Sequence, residues 1–436
     1  MSPVFPRGPA GIVSPTAVSA EGAYITDLSG KRYLDAAGGA IVVNIGHGDS
    51  SVIDALAEQG RKLDYVHGTQ FTSEVIEEYV NDLSSVLPFD NPFVYPVSGG
   101  SEAVETAFKL ARAYHLARGN GDRHKIISRW GSYHGNTRGA LDSSGRVPLR
   151  APYLPWLDHS THVPEVYEYR CPIPSHPLDC GRGHAANLER VILEEGEDTI
   201  AAFIAEPIAG ASLGAASPTD DYWPAVAEVC RDHGILLIVD EVMTGFGRTG
   251  RWFGSDHWNV RPDIMTAGKG CSSGYWPLGL TVASGAVAEA VVEGGFTHGF
   301  TYSHHVMGAA VGRAVFARLK GDDLVKASRV KGERLLLMLR DALANRGTVG
   351  DVRGRGLMIG VELVRNHATK APFDRSDRMS ERVVAAAKER GLLLYSSTGC
   401  ADGVSGDILM FGPPFTISDS EMAQLVEITA EAVGTI

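Results

Sequence analysis

One lysine, Lys269, sits between two glycines at the end of Pro262-Asp263-Ile264-Met265-Thr266-Ala267-Gly268-Lys269-Gly270, a short apolar run. Upstream, Ile235-Leu236-Leu237-Ile238-Val239-Asp240-Glu241 closes a buried-type run with two carboxylates. Asp240 and Lys269 stand 29 residues apart, and Gly245, Gly247 and Gly250 between them mark turns rather than element interiors. A lysine that works as an amine has to be kept from being merely a solvated cation. Small neighbours let a bulky planar group approach its nitrogen. These residues support the hypothesis that Lys269 carries pyridoxal phosphate as a Schiff base while Asp240 tunes the pyridine ring.

Other stretches carry chemistry less specifically. Ser98-Gly99-Gly100-Ser101-Glu102, between a strand and a helix, has the form of an anion cradle. Taken alone, a glycine turn with Ser101 capping the helix explains it equally well. Tyr133, in Trp130-Gly131-Ser132-Tyr133-His134-Gly135, suits stacking on a flat ring, and a buried core tyrosine is the plainer alternative. Asp240, ending an all-apolar strand, needs a cationic partner if buried. A protonated pyridine nitrogen meets that need, as does an ordinary Arg or Lys. Neither the Gly-x-Gly-x-x-Gly fingerprint nor the P-loop is present, which disfavours a simple NAD-type dehydrogenase.

The elements that must position these residues alternate between strand and helix from residue 50 onward, the pattern of a parallel sheet covered by helices. A small hairpin is expected over 23–35, and the glycine-punctuated stretch 38–48 is a turn or a wall of the substrate pocket. Helices are predicted at 74–87, 102–118, 220–233, 307–319, 324–344, near 380–390 and from 418. Strands are predicted at 93–97, 125–128, 199–205, 235–240 and 357–363, the last opened by 350–356. Residues 148–183, rich in proline, read as a long surface excursion. Parallel strands share one carboxyl edge, where open α/β sheets bind ligands, so Glu206, Asp240 and Glu241 are expected to converge there.

Length and composition bound the rest. The 436 residues fit two or three structural units, and 44 % apolar with 21 % charged residues describes an ordinary globular chain. A net charge of −12 without a basic run argues against nucleic acid or an anionic membrane as the main partner. Five scattered cysteines with no Cys-x-x-Cys pair predict neither a disulfide framework nor a metal site, and fit a reducing, cytoplasmic setting. Residues 1–22 read as an arm without a core of its own. The first residues lack a signal-peptide apolar core, and no stretch is long and apolar enough to span a bilayer.

Over nearly its whole length, from Asp27-Leu28-Ser29-Gly30-Lys31-Arg32-Tyr33-Leu34-Asp35 to Gly412-Pro413-Pro414-Phe415, the chain resembles the class III, or omega-type, aminotransferases of the fold-type I pyridoxal-phosphate enzymes. The most specific match is Asp240-Glu241-Val242-Met243-Thr244-Gly245-Phe246-Gly247-Arg248-Thr249-Gly250 followed by Gly268-Lys269-Gly270. The resemblance implies an α/β fold with a large domain, built on a mostly parallel seven-stranded sheet flanked by helices, and a smaller α+β domain drawn from both chain ends. The corresponding boundaries are 1–50 for the N-terminal arm and part of the small domain, 51–322 for the large cofactor-binding domain, and 323–436 for the C-terminal small domain. It also implies that Gly100 and Ser101 hold the phosphate of pyridoxal 5'-phosphate, and that Tyr133 and Val242 cover the two ring faces. Asp240 then pairs with the ring nitrogen, Glu206 sits beside the site, and Lys269 forms the covalent link. Thr301, in Thr301-Tyr302-Ser303, reaches the phosphate of the neighbouring subunit in a homodimer or larger assembly.

The implied activity is transfer of an amino group from an amine or omega-amino acid to a keto acid, with pyruvate the expected acceptor. An amino-acid or lactam racemase, or an aminomutase, shares the Asp and Lys positions and is the alternative. A regulatory relative would need a basic helix-turn-helix, and no segment supplies one. Departures from the family pattern are Met243, where some relatives have glutamine, and His304-His305-Val306 after Thr-Tyr-Ser. Ser405 stands where similar sequences often carry an arginine for a substrate carboxylate, leaving Arg146, Arg150 or Arg353 for that task; Arg353 and Arg355 also read as structural.

Overall fold

The structure, a computed structural model, describes residues 4–5, 14–173 and 179–436. Most of the expected N-terminal arm before residue 14 and part of the 148–183 excursion lie outside these residues. The central sheet has seven strands in the order Phe93–Val97, Gly279–Ala283, Ile264–Ala267, Leu236–Asp240, Ile200–Ala205, Lys125–Arg129 and Thr161–Val163. Only Gly279–Ala283 runs antiparallel to its neighbours; the remaining pairings are parallel.

The three middle strands, IAAFIA, LLIVD and IMTA, are buried at every position. That explains their continuous apolar runs, because both faces are covered by helices. Strand alternation then assigns faces. Ala202, Ile204, Leu236 and Ile238 pack with Val104, Leu110 and Val287 from helices Gly100–Ala117 and Gly285–Gly294. Phe203, Ala205, Leu237 and Val239 pack with Leu188, Ile192, Trp223 and Val226 from helices Cys180–Glu195 and Tyr222–Asp232.

Both chain ends build the smaller part. One sheet orders Ala17–Glu21, Tyr24–Asp27, Arg32–Asp35 and Leu392–Leu393; the other orders Val349–Arg355, Met358–Leu363, Asp407–Phe411 and Tyr395–Thr398. The expected hairpin is fastened by Asp27, whose Oδ1 accepts from the amides of Ser29 and Lys31 at 2.9 and 3.1 Å while its Oδ2 accepts from Tyr33 Oη at 2.8 Å. Helices Leu324–Leu343, Met379–Glu389 and Asp419–Val433 complete this region.

Several expectations need correction. Residues 350–356 do not merely open a strand: Val349–Arg355 is itself a strand, paired antiparallel with Met358–Leu363. The 148–183 stretch is not all surface excursion, because Thr161–Val163 forms the edge of the central sheet. The helix expected over 74–87 ends at Ser84, ahead of Pro88, whose ring bars continuation. Among the described residues, no helix is long and apolar enough to cross a membrane.

Candidate active site

Parallel strands deliver their carboxyl ends to one edge of the sheet. Leu236–Asp240 ends in Asp240, Ile200–Ala205 leads into Glu206, and Ile264–Ala267 leads through Gly268 into Lys269. Phe93–Val97 feeds the turn before helix Gly100–Ala117, and Lys125–Arg129 feeds the loop carrying Tyr133 and His134.

Asp240 is buried, and three donors converge on it. Its Oδ1 accepts from the Val242 amide at 3.0 Å and from Thr266 Oγ1 at 3.1 Å, and its Oδ2 pairs with His134 Nδ1 at 2.7 Å. The protein-side partner is therefore a histidine, not the Arg or Lys considered from sequence. His134 is itself buried and its Nε2 has no hydrogen-bond partner among the described residues.

Glu206 is also buried, with Oε1 accepting from the Gly210 amide at 3.3 Å and Oε2 without a hydrogen-bond partner among the described residues. Arg129 Nη2 lies 3.9 Å from that Oε2 and donates to the Glu206 carbonyl at 2.6 Å. Burial pushes the Glu206 carboxyl up and Asp240 adds to the shift, while His134 and Arg129 oppose it. Met243 packs beside it: a Cβ on Gly210 would lie 2.9 Å from Met243 Sδ and 3.4 Å from Glu206 Oε1.

Lys269 is half-buried and holds φ at 44°, in the left-handed region that a side chain rarely adopts. Loss of hydration pushes its ammonium down to about 8, Arg248 pushing the same way against the pull of Asp240 and Glu206. A usable fraction is therefore neutral amine near pH 8. Val242 links the lysine to the glycine turn: Cβ atoms on Gly100 and Gly268 would lie 2.9 and 3.4 Å from its Cγ1.

Ser101 does not cap its helix. It sits inside Gly100–Ala117, whose N-cap is Gly99, and its hydroxyl donates to Asn136 Oδ1 at 2.9 Å while accepting from the Asn136 amide at 3.1 Å. Nor is Tyr133 a core tyrosine, since 36 % of it is exposed. Thr301 lies at the surface, its carbonyl accepting from Tyr65 Oη at 3.0 Å.

Glu241 does not converge with Asp240 and Glu206. Fully buried, it accepts from Thr244 Oγ1 and from the amides of Gly254 and Ser255, both at 2.8 Å, and so fastens the 241–255 segment. Burial lifts its carboxyl to about 7. Within that segment Arg248 is completely buried. It donates to the carbonyls of Leu357, Pro413 and Val43 at 2.9, 2.8 and 3.0 Å and to Asn44 Oδ1 at 2.6 Å.

Of the three arginines considered for a carboxylate, two are occupied. Arg353 donates to Asp351, Tyr167, the Leu213 carbonyl and Glu362. Arg150 donates to the carbonyls of Asp142 and Ser144. The Arg146 side chain forms no hydrogen bond or ion pair among the described residues, and its Nε is buried unpaired. It lines a cavity of about 270 Å³ with Trp130, Glu165, Leu213 and the 398–403 loop. Two of that cavity's walls, 130–131 and 212–213, continue into the segments carrying Tyr133 and Glu206.

The profile of the family described as Aminotransferase class-III matches residues 10–433, and the chain belongs to that family. It is 38 % identical over 424 residues to the uncharacterized aminotransferase YodT of Bacillus subtilis, covering 97 % of this chain and 95 % of that one. It is 33 % identical over 417 residues to the putrescine–pyruvate aminotransferase of Pseudomonas aeruginosa, covering 95 % and 89 %. Among solved structures, an (S)-enantioselective omega-transaminase from Thermomicrobium roseum superposes with a TM-score of 0.89 at 37 % identity, over 97 % of this chain and 92 % of that one. An amine transaminase from an uncultivated Pseudomonas species, in its PLP-bound form, gives 0.92 at 34 % identity, over 99 % and 98 %. The protein is thus a fold-type I, pyridoxal-phosphate-dependent aminotransferase. The isomerase alternative finds no support among these relatives.

Proposed function

We propose that this transaminase moves an amino group from an amine or omega-amino acid to a keto acid, with Lys269 as the residue joined to the cofactor. The carrying observation is the position of Lys269: a half-buried amine with a lowered pKa, beside Asp240 and Glu206, one residue from a glycine that packs on Val242 and Gly100. Pyruvate is the proposed acceptor, supported by the relative named for it.

The residues fit pyridoxal phosphate. Gly100 leaves no room for a Cβ against Val242, so backbone amides at the start of a long helix stay accessible to a phosphate. Ser101 would add its hydroxyl, and Tyr133 and Val242 would cover the two ring faces. Asp240, aligned from behind by His134, would face the ring nitrogen and hold a proton on it. When bound, pyridoxal phosphate supplies an aldehyde carbon for the amine and a ring that accepts electrons as the substrate carbon loses its proton. Lys269 Nζ would take that proton and deliver it to a different carbon from the one it left, which separates transfer from isomerisation. Glu206, its carboxyl pushed up by burial, would sit beside the reacting amine.

Ser405 carries no charge to form an ion pair with an anion, and Arg146 is the proposed anchor for a substrate carboxylate. In a homodimer Thr301 would reach the partner's phosphate. The proposed units are 1–50 as the N-terminal arm and part of the small domain, 51–322 as the large cofactor-binding domain, and 323–436 as the C-terminal small domain.

The test is a half-reaction screen on the holoenzyme with amines and omega-amino acids, following conversion of bound cofactor to its amino form together with the carbonyl product. Conversion with stoichiometric product supports transfer. Loss of substrate optical activity without carbonyl product overturns it in favour of isomerisation.

A further inference from the structure

Away from the catalytic edge, three metal-ligating side chains meet on a flank of the central sheet. Cys180 opens helix Cys180–Glu195 and His184 follows one turn later, so both project from one face. Cys171 comes to them from the turn after Glu168–Arg170. Its Sγ lies 4.0 Å from Cys180 Sγ and 3.5 Å from His184 Nε2, and the three ligand atoms fall within 4.8 Å of one another.

These separations are informative. A tetrahedral zinc ion, with Zn–S about 2.3 Å and Zn–N about 2.0–2.1 Å, sets its sulfur–sulfur edge near ~3.8 Å and its sulfur–nitrogen edge near ~3.5 Å. A disulfide needs its sulfurs at about 2.05 Å. His184 is buried and its ring meets Tyr222 edge-on at 6.5 Å, which limits its orientation. Two thiols and an imidazole form a donor set that selects zinc over hard cations.

We propose that Cys171, Cys180 and His184 form a structural zinc site, separate from the transamination machinery, with the fourth corner taken by water or another donor. Binding Zn²⁺ displaces the two thiol protons to solvent and leaves two thiolates and a neutral imidazole on the ion. The site would fix the segment that precedes it. Arg170 donates to Glu362 Oε1 at 2.6 Å and Tyr167 bonds the same carboxylate, on strand Met358–Leu363. Glu165 lines the cavity shared with Arg146. A metal here therefore ties the helical flank of the large sheet to the strands of the C-terminal sheet.

The experiment uses tag-free holoenzyme, exposed to zinc sulfate and dialysed, with metal measured by plasma mass spectrometry. About one zinc per chain is expected, with an X-ray absorption spectrum requiring two sulfur ligands. C171S, C180S and H184Q should each lose most of it. Should a variant fail to fold, the wild type still decides: release of zinc to a chromogenic chelator should expose two further thiols to Ellman's reagent and lower Tm by a few degrees. Wild-type protein that retains no zinc overturns the proposal, as does zinc that survives in all three variants. A non-reduced chain lighter by two hydrogens, with Cys171 linked to Cys180 in its peptide map, also overturns it.

Discussion

Replacing His134 by phenylalanine keeps the ring volume and removes the donor that sits 2.7 Å from Asp240 Oδ2. Asp240 then retains only the Val242 amide and Thr266 Oγ1, both on its other oxygen. A hydrogen bond to a charged group contributes about 1.5–3 kcal/mol, and stripping one partner from a buried pair costs about 3–5 kcal/mol. Because two donors remain, the expected loss in the apoenzyme is about 3 kcal/mol. At roughly 2 °C per kcal/mol for a long chain, that lowers Tm by ~5 °C or more. H134N, whose amide nitrogen can stand near the Nδ1 position, should fall between wild type and H134F. The decisive measurement is a double-mutant cycle with D240N, run at one protein concentration because assembly shifts apparent stability. Coupling of about 1.5–3 kcal/mol is expected. Coupling within about 0.5 kcal/mol of zero refutes the view that His134 aligns the acid.

Three further outcomes follow from the same geometry. The lysine amine is neutral above its pKa of about 8, so capture of pyridoxal phosphate by apoenzyme should accelerate as pH rises and be half-maximal near 8; stopped-flow absorbance checks this, and K269A should show no borohydride-reducible adduct. G100A should push Val242 aside, since its Cβ would lie 2.9 Å from Val242 Cγ1; cofactor affinity should fall, and V242A should restore part of it in the double variant, both read by equilibrium dialysis. R146Q should lower kcat/KM for a keto acid relative to a neutral aldehyde by on the order of 10- to 100-fold, the value of one charge-assisted contact, with R146K recovering part; an unchanged ratio removes Arg146 from substrate recognition.

The middle of the fold was readable because its strands are buried on both faces, which leaves an uninterrupted apolar signature at 200–205, 236–240 and 264–267. Strand ends then placed Glu206, Asp240 and Lys269 on a common edge. The same logic failed for Glu241: consecutive residues leave a strand toward opposite faces, so adjacency to Asp240 carried it away from the site. His134 was hidden for a different reason. Its pairing with Asp240 spans 106 residues and exists only once strands Lys125–Arg129 and Leu236–Asp240 lie in one sheet. Thr161–Val163 is too short, and too polar in Thr and His, to announce itself as a strand. Cys171 and His184 meet through closure of a loop onto a helix, which no short cysteine spacing encodes.

Arg248 couples parts of the chain that sequence keeps far apart. One guanidinium, on the segment that follows Asp240, gathers acceptors from residues 43–44, 357 and 413. The catalytic edge consequently rests on a foundation laid by segments near both ends of the polypeptide. A large-domain fragment cut free of them would keep its sheet yet lose the floor under its chemistry, so activity in this enzyme should be an all-or-nothing property of the complete chain.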